Sequence, residues 1–109
     1  MATYDFQLTY SISPFGGSVN KESKAKEARR LIKKIDGWES VDEIETTLVG
    51  KISFSAIGDN EKRKKGQSII ENEIRTLFRS EDVLNDTRSY FSLMIDGLGK
   101  HIEFNMWFY

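Results

Sequence analysis

The residues best placed to do chemistry lie near the C-terminus, where His101 is the only histidine of the 109-residue chain. Glu103 follows two positions later, and residues at that spacing share one face of a strand. An imidazole beside a carboxylate is typical of general acid–base catalysis, so these two are the candidate catalytic residues. No motif supplies a nucleophile for them, and an exposed histidine at the edge of a hairpin is the favoured interpretation.

Metal and thiol chemistry have little support in the sequence. The chain has no cysteine, which excludes disulfides, thiol nucleophiles and cysteine-ligated zinc sites. Four acids without a neighbouring base follow Trp38; they are Glu39, Asp42, Glu43 and Glu45. Mg²⁺ needs only one or two carboxylates plus substrate phosphates, yet nothing in the spacing directs these four toward one point. We therefore predict no metal and no cofactor.

The stretch Gly97-Leu98-Gly99-Lys100 invites comparison with a phosphate-binding loop. A Walker A motif needs its first glycine where Met94 stands and a serine or threonine where His101 stands. Glycines that permit positive φ explain the stretch equally well as a hairpin connection. A β-hairpin turn is therefore the prediction.

Positive charge is concentrated in two segments although the net charge of the chain is only −1. Residues 21–36 hold seven basic side chains against three acids, and Lys62-Arg63-Lys64-Lys65 is an uninterrupted basic run. Such helix faces could contact phosphates, although basic side chains more often simply solvate a helix. The candidate nucleic-acid-binding residues are Arg29, Arg30, Lys33, Lys62, Arg63, Lys64 and Lys65.

Large aromatic residues lie on the polar side of the last predicted strand. Trp107 and Tyr109 share the parity of His101 and Glu103, whereas Ile102, Phe104, Met106 and Phe108 take the opposite, buried side. Exposed aromatic residues are enriched at protein interfaces. Trp107 and Tyr109 are therefore the candidate partner-surface residues, with dimerisation through the sheet or its edge as the favoured account.

The elements that must position these residues follow from the hydrophobic pattern. Residues 4–12 alternate as a strand with one apolar face, and residues 21–35 carry apolar residues at helical spacing, with Asn20 as the N-cap. Residues 39–56 are extended, with Ile44 on one parity and Thr47 on the other. This stretch is one strand, two strands broken near Asp42, or a strand with a bulge at Gly50. A second helix follows Asp59 or Asn60, and strands at 90–95 and 101–109 end the chain.

Each helix has a single apolar stripe, so both helices are expected on one face of one sheet. The prediction is a single α+β domain over residues 1–109. It is a two-layer sandwich with a mainly antiparallel sheet, in the ferredoxin-like arrangement or a close variant of it. With the second stretch split, the order begins βαββαβ and the last strand is added at an edge.

The size, the order of elements and the basic helices resemble small bacterial ferredoxin-like proteins of the GhoS antitoxin and CRISPR-adaptation nuclease types. The resemblance implies a dimer that binds or cleaves RNA, or an antitoxin. In the CRISPR-adaptation relatives an aspartate is expected at the end of the first strand, whereas this strand ends Tyr10-Ser11-Ile12-Ser13. No catalytic residue is therefore carried over from them.

The functional expectation is a small binding protein that occupies a macromolecular partner, as antitoxins, immunity proteins and phage-encoded inhibitors do. The partner is predicted to be another protein or a second copy of this chain, and RNA binding or cleavage is the alternative. No positively charged leader or apolar run of about 20 residues is present. We therefore expect a cytoplasmic location and no membrane partner.

Overall fold

Strict alternation of side chains shapes the central strand, β1 (Ala2–Pro14), in which Phe6, Leu8, Tyr10 and Ile12 are buried and the residues between them are exposed. The computed structural model describes residues 1–16, 19–41 and 44–107. The other elements are α1 (Val19–Ile32), β2 (Glu39–Val41), β3 (Ile44–Phe54), α2 (Asp59–Ser80), a short 3₁₀ helix (Leu84–Asp86), β4 (Thr87–Ile95) and β5 (Ile102–Trp107).

The strands form one five-stranded sheet in the order β2-β3-β1-β4-β5, and every neighbouring pair is antiparallel. The first six elements thus follow the βαββαβ order of a ferredoxin-like sandwich, and β5 extends the sheet beyond β4. Both helices pack on the same side of the sheet. The predicted two-layer α+β class, with the last strand at an edge, is confirmed.

One hydrophobic cluster fills the space between the helices and the sheet. Ala25, Ala28 and Ile32 of α1 and Ile70, Ile74 and Phe78 of α2 are buried against the inward side chains of the strands. These positions recur at the three- and four-residue spacing of a helix face. No helix in the described ranges is long and apolar enough to cross a membrane.

The second extended stretch is two strands rather than one. β2 and β3 pair with a register shift between Ser40 and Val41, whereas Gly50 pairs regularly with Phe6, so the bulge alternative at Gly50 is wrong. The burial expected from these parities fails at two positions. Ile44 is half exposed because it begins β3 at the irregular end of the β2 ladder, and Thr47 is buried beside the hydroxyl of Thr9 on the other face.

The helix boundaries also differ from the sequence prediction. Helix α1 already begins at Val19, which places Asn20 in the first turn and not at the N-cap. It ends at Ile32, and turns closed by the bonds from Lys34 N–H to the Leu31 carbonyl and from Trp38 N–H to the Ile35 carbonyl carry the chain to β2. For α2 the N-cap is Gly58 at a φ of 82°, a backbone conformation that glycine adopts without strain.

Gly50 lies where three segments meet closely. A Cβ atom at this position would lie 2.8 Å from the Phe6 ring and 3.2 Å from the Gly37 carbonyl oxygen. Phe6 has little room to retreat, because its ring packs edge-on against Trp38 at a centroid distance of 5.2 Å. The absence of a side chain is therefore what lets Phe6 and the loop after α1 share this space.

We expect Gly50→Ala to lower the free energy of unfolding by about 1–3 kcal/mol, because the added methyl group overpacks the site. Ser53→Ala, in the same strand, removes only an exposed hydrogen bond with the Thr3 hydroxyl; it is the control and should stay within about 0.5 kcal/mol of the wild type. Urea unfolding followed by fluorescence measures both. Equal stabilities for the two variants would show that Phe6 moves aside at no cost.

Candidate functional site: the open face of the sheet

The side of the sheet away from the helices is uncovered in the described part of the chain. We call it the open face; it consists of outward side chains from all five strands. They are Thr3, Asp5, Gln7, Thr9, Ser11 and Ser13 of β1, Glu39 of β2, Thr47, Val49, Lys51 and Ser53 of β3, Arg88, Tyr90, Ser92 and Met94 of β4, and Glu103 and Asn105 of β5. Hydroxyl and amide groups predominate among them.

Two large side chains stand out from this polar surface. Tyr90 and Met94 of β4 are 47% and 50% exposed. Tyr90 lies opposite Ser11 on one side and Asn105 on the other, and Met94 lies opposite Gln7. Half-exposed Tyr and Met side chains within a polar surround are the composition typical of protein interfaces.

A concavity of about 940 Å³ opens at the end of the sheet beside Met94. Its acidic lining residues are Asp5, Glu39 and Asp96, and its single cation is Lys51. The glycine backbones of residues 37, 50, 97 and 99 make up much of the rest. This end of the open face is therefore a broad depression that could receive an extended segment or a long side chain.

Lys51 does not neutralise this end of the sheet on its own. Its Nζ atom lies 2.7 Å from a carboxylate oxygen of Asp5 in the neighbouring strand. The hydrogen bond to Asp5, and then the attraction of its charge, raise the pKa of Lys51. The pair keeps one charge of each sign in place and leaves Glu39 and Asp96 as net negative charge around the concavity.

Charge is segregated between the two layers of the fold. Residues 19–34 and 59–80, which hold the helices, contain thirteen of the sixteen basic residues but only six of the seventeen acids. The strands and the remaining connections are therefore acidic overall. The helices are positive, whereas the described outward side chains of the sheet include three acids, Asp5, Glu39 and Glu103, and two bases, Lys51 and Arg88.

Four of the seven predicted nucleic-acid-binding residues bond within the protein. Arg29 donates to the Ile12 carbonyl from Nε at 3.1 Å and Nη2 at 2.6 Å, and Lys65 donates to the Ser55 carbonyl at 2.6 Å. Arg30 is paired with Glu27, whose pKa this contact lowers. Arg63 donates to the carbonyls of Leu98 and Lys100.

The contacts of Arg29 and Arg63 are structural in kind. In the described residues, the pairing of β1 with β3 ends at Thr9 opposite Thr47. Arg29 bonds to the Ile12 carbonyl, which lies three residues further along β1. Arg63 joins α2 to the turn between β4 and β5. The other three candidates, Lys33, Lys62 and Lys64, form no ion pair with the described residues, so their charges remain available on the helix side.

The predicted catalytic pair is an exposed contact between an imidazole and a carboxylate. His101 Nε2 lies 3.5 Å from Glu103 Oε1, and the two side chains are 40% and 79% exposed. Among the residues that the structure describes, no three His, Asp or Glu side chains converge as metal ligands would. An exposed pair lacks the enclosure that strengthens electrostatic catalysis, so the geometry favours the interpretation without a catalytic role.

Only some of the remaining predicted site residues lie in the described ranges. Trp107 ends β5, and Tyr109 lies outside the described residues. Of the early acids, Glu39 is exposed in β2, whereas Asp42 and Glu43 lie outside the described ranges. Sequence reasoning missed Tyr90 and Met94 because every residue from Tyr90 to Ile95 except Ser92 is apolar, so the parity of β4 was ambiguous.

Comparisons of the chain with protein-family models, with curated proteins and with solved structures find no match. Function is therefore inferred from the geometry and charge of this chain's own residues.

We expect Arg63→Gln to lower the free energy of unfolding by about 1–3 kcal/mol, because two carbonyl groups of the β4–β5 turn lose a charged donor. Lys64→Gln removes the same charge from the next residue and should change stability by less than about 0.5 kcal/mol. Thermal unfolding at a fixed pH compares them. If both variants lose equal stability, charge alone is responsible and the bonds to the turn are not.

Proposed function

We propose that this chain is a small binding protein that acts by occupying a protein partner through its open face. The observation that carries this proposal is the pair of half-exposed side chains, Tyr90 and Met94, on an uncovered polar sheet. Interfaces draw most of their binding energy from a few such large side chains surrounded by polar residues.

The open face has the dimensions that a stable interface needs. Five strands spaced about 4.8 Å apart, with an average length of about eight residues, present roughly 650 Å² in projection. Specific complexes bury about 800 Å² on each partner. A partner seated on the open face and in the adjoining concavity would cover a comparable area.

Charge favours a partner with a basic contact surface. Asp5, Glu39 and Asp96 border the concavity, and Glu103 lies on the far strand of the same face. Complementary potentials increase the association rate and exclude partners of the wrong sign. A protein whose contact segment carries Lys or Arg fits this end of the sheet, as is expected of an inhibitor or antitoxin that covers a basic working surface.

RNA binding by the helix side has weaker support. Arg29, Arg63 and Lys65 use their donors within the fold, and Arg30 is held by Glu27. Phosphate contacts need donors that are available at the surface, and each contact adds to the salt dependence of binding. The resemblance to antitoxin and RNase proteins stays a prediction from the sequence. A binding experiment distinguishes a protein partner from RNA.

Met94→Lys should weaken partner binding by about tenfold or more, because it removes an apolar anchor and adds a positive charge opposite a basic partner. Ile69→Lys, the matched change at an exposed position of α2 on the helix side, should leave binding unchanged. Affinity capture at low salt from the native cells, with protein stain and the 260/280 nm absorbance ratio, compares both with the wild type.

The two functions give opposite patterns in that capture. If one stoichiometric protein is captured by the wild type and by Ile69→Lys but not by Met94→Lys, the result supports partner binding through the open face. Nucleic acid that elutes with moderate salt, and that is retained equally or better by Ile69→Lys, contradicts it and favours the RNA alternative.

A further inference from the structure

Strand β5 is the terminal strand of the sheet, so every second residue directs its backbone N–H and C=O away from β4. Its pairing with β4 is regular from Arg88 opposite Trp107 to Leu93 opposite Ile102. The segment Ile102–Trp107 contains no proline, no basic residue and no bulge. Proteins normally use such features to prevent edge strands from pairing with other chains.

The helix layer covers this edge incompletely. On the inward side of β5, Met106 is 1% exposed, whereas Ile102 and Phe104 are only half-buried. Phe104 stacks on Phe91 of the neighbouring strand at a centroid distance of 4.8 Å, and its outer side has no further strand beside it. An open ladder and a partly covered apolar row therefore lie along the same edge.

We propose that a second copy of this chain pairs antiparallel with β5, with a two-fold axis at Phe104 that extends the sheet to ten strands. A two-fold axis perpendicular to the sheet keeps both helix layers on the same side of the extended sheet. Each residue of β5 must therefore pair with a residue of the second copy whose side chain lies on the same face. The axis can then pass through position 103, 104 or 105.

Side-chain chemistry selects among these three registers. An axis at position 103 sets the two Glu103 carboxylates directly opposite each other, and like charges in that position are destabilising. An axis at 105 leaves Ile102 beyond the end of the paired segment. An axis at 104 sets Phe104 against Phe104, Ile102 against Met106, and each Glu103 carboxylate against the Asn105 amide, which can donate a hydrogen bond to it.

This dimer goes beyond the proposed function and does not depend on it, because the copies pair through the backbone edge of β5, which shares only Glu103 and Asn105 with the open face. It has a consequence for the face, however. The two open faces would lie side by side in one continuous surface, on which a two-fold symmetric or extended partner could contact both copies.

Charge variants at Asn105 test the register, because the symmetric dimer contains two contacts between residue 105 of one copy and Glu103 of the other. Asn105→Glu should raise the dimer dissociation constant about tenfold, and Asn105→Lys should lower it by a similar factor. Both changes are at an exposed position and leave the core untouched. Sedimentation equilibrium over a range of protein concentrations measures the constants.

The double variant Glu103→Lys/Asn105→Glu sets a lysine opposite a glutamate and should restore the dimer that Asn105→Glu alone weakens. Gln7→Glu and Gln7→Lys, on the central strand of the open face, add the same charges away from the edge and should leave association unchanged. A wild-type chain that stays monomeric overturns the proposal, as does equal weakening by Asn105→Glu and Asn105→Lys. A dimer that responds to Gln7 and not to Asn105 also overturns it, because association would then run through the open face.

The lack of native cysteine allows an independent test. In the proposed register, Glu103→Cys in one copy faces Asn105→Cys in the other within disulfide range. Mild oxidation of the two variants mixed together should give a heterodimer band stronger than either variant gives alone. Stronger self-linking of the Asn105→Cys variant would overturn the register.

Discussion

The structure depends on the one-sided burial of the central strand β1. Phe6, Leu8, Tyr10 and Ile12 all point to one side, and β1 pairs with both β3 and β4. Because a shift of one residue would move all four side chains to the solvent side, the register of its neighbours is fixed with it. Both helices must then cover that side. The opposite side is left bare by the same constraint, and on that side the fold presents the surface that we assign to binding.

Helix packing explains why the strongest charge pattern in the sequence is a poor guide to function. The donors of Arg29 and Arg63 lie on the carbonyl of Ile12 in β1 and on that of Leu98 in the β4–β5 turn. Long basic side chains can cover apolar surface and satisfy backbone groups at once. The helix side thus spends much of its positive charge on holding the layers together. Most acids lie outside the helices. Asp5, Glu39 and Glu103 give the described part of the open face a small excess of negative charge over Lys51 and Arg88.

The sequence predicted the fold class because the period of each segment is a local property. Alternation in residues 4–12 and helical spacing in residues 21–35 need no knowledge of the rest of the chain. The candidate site was harder to predict from the sequence. The bond from Arg63 to Leu98 joins residues 35 apart, and no local pattern encodes it. In β4, Tyr90 and Met94 alternate with Phe91, Leu93 and Ile95, so burial in the sheet decides which set is exposed, and hydrophobicity alone does not.

Lysine footprinting of the captured complex tests the central claim, that the open face is the working surface, most directly. Lys51 lies on that face with a 71% exposed side chain, whereas Lys33, Lys62 and Lys64 belong to the helix side. Brief acetylation of the free protein and of the complex, followed by mass spectrometry of peptides, reports the reactivity of each amine. We predict that the partner protects Lys51 and leaves the three helix-side lysines as reactive as in the free protein. Protection of Lys33, Lys62 and Lys64 with Lys51 still reactive would contradict the account.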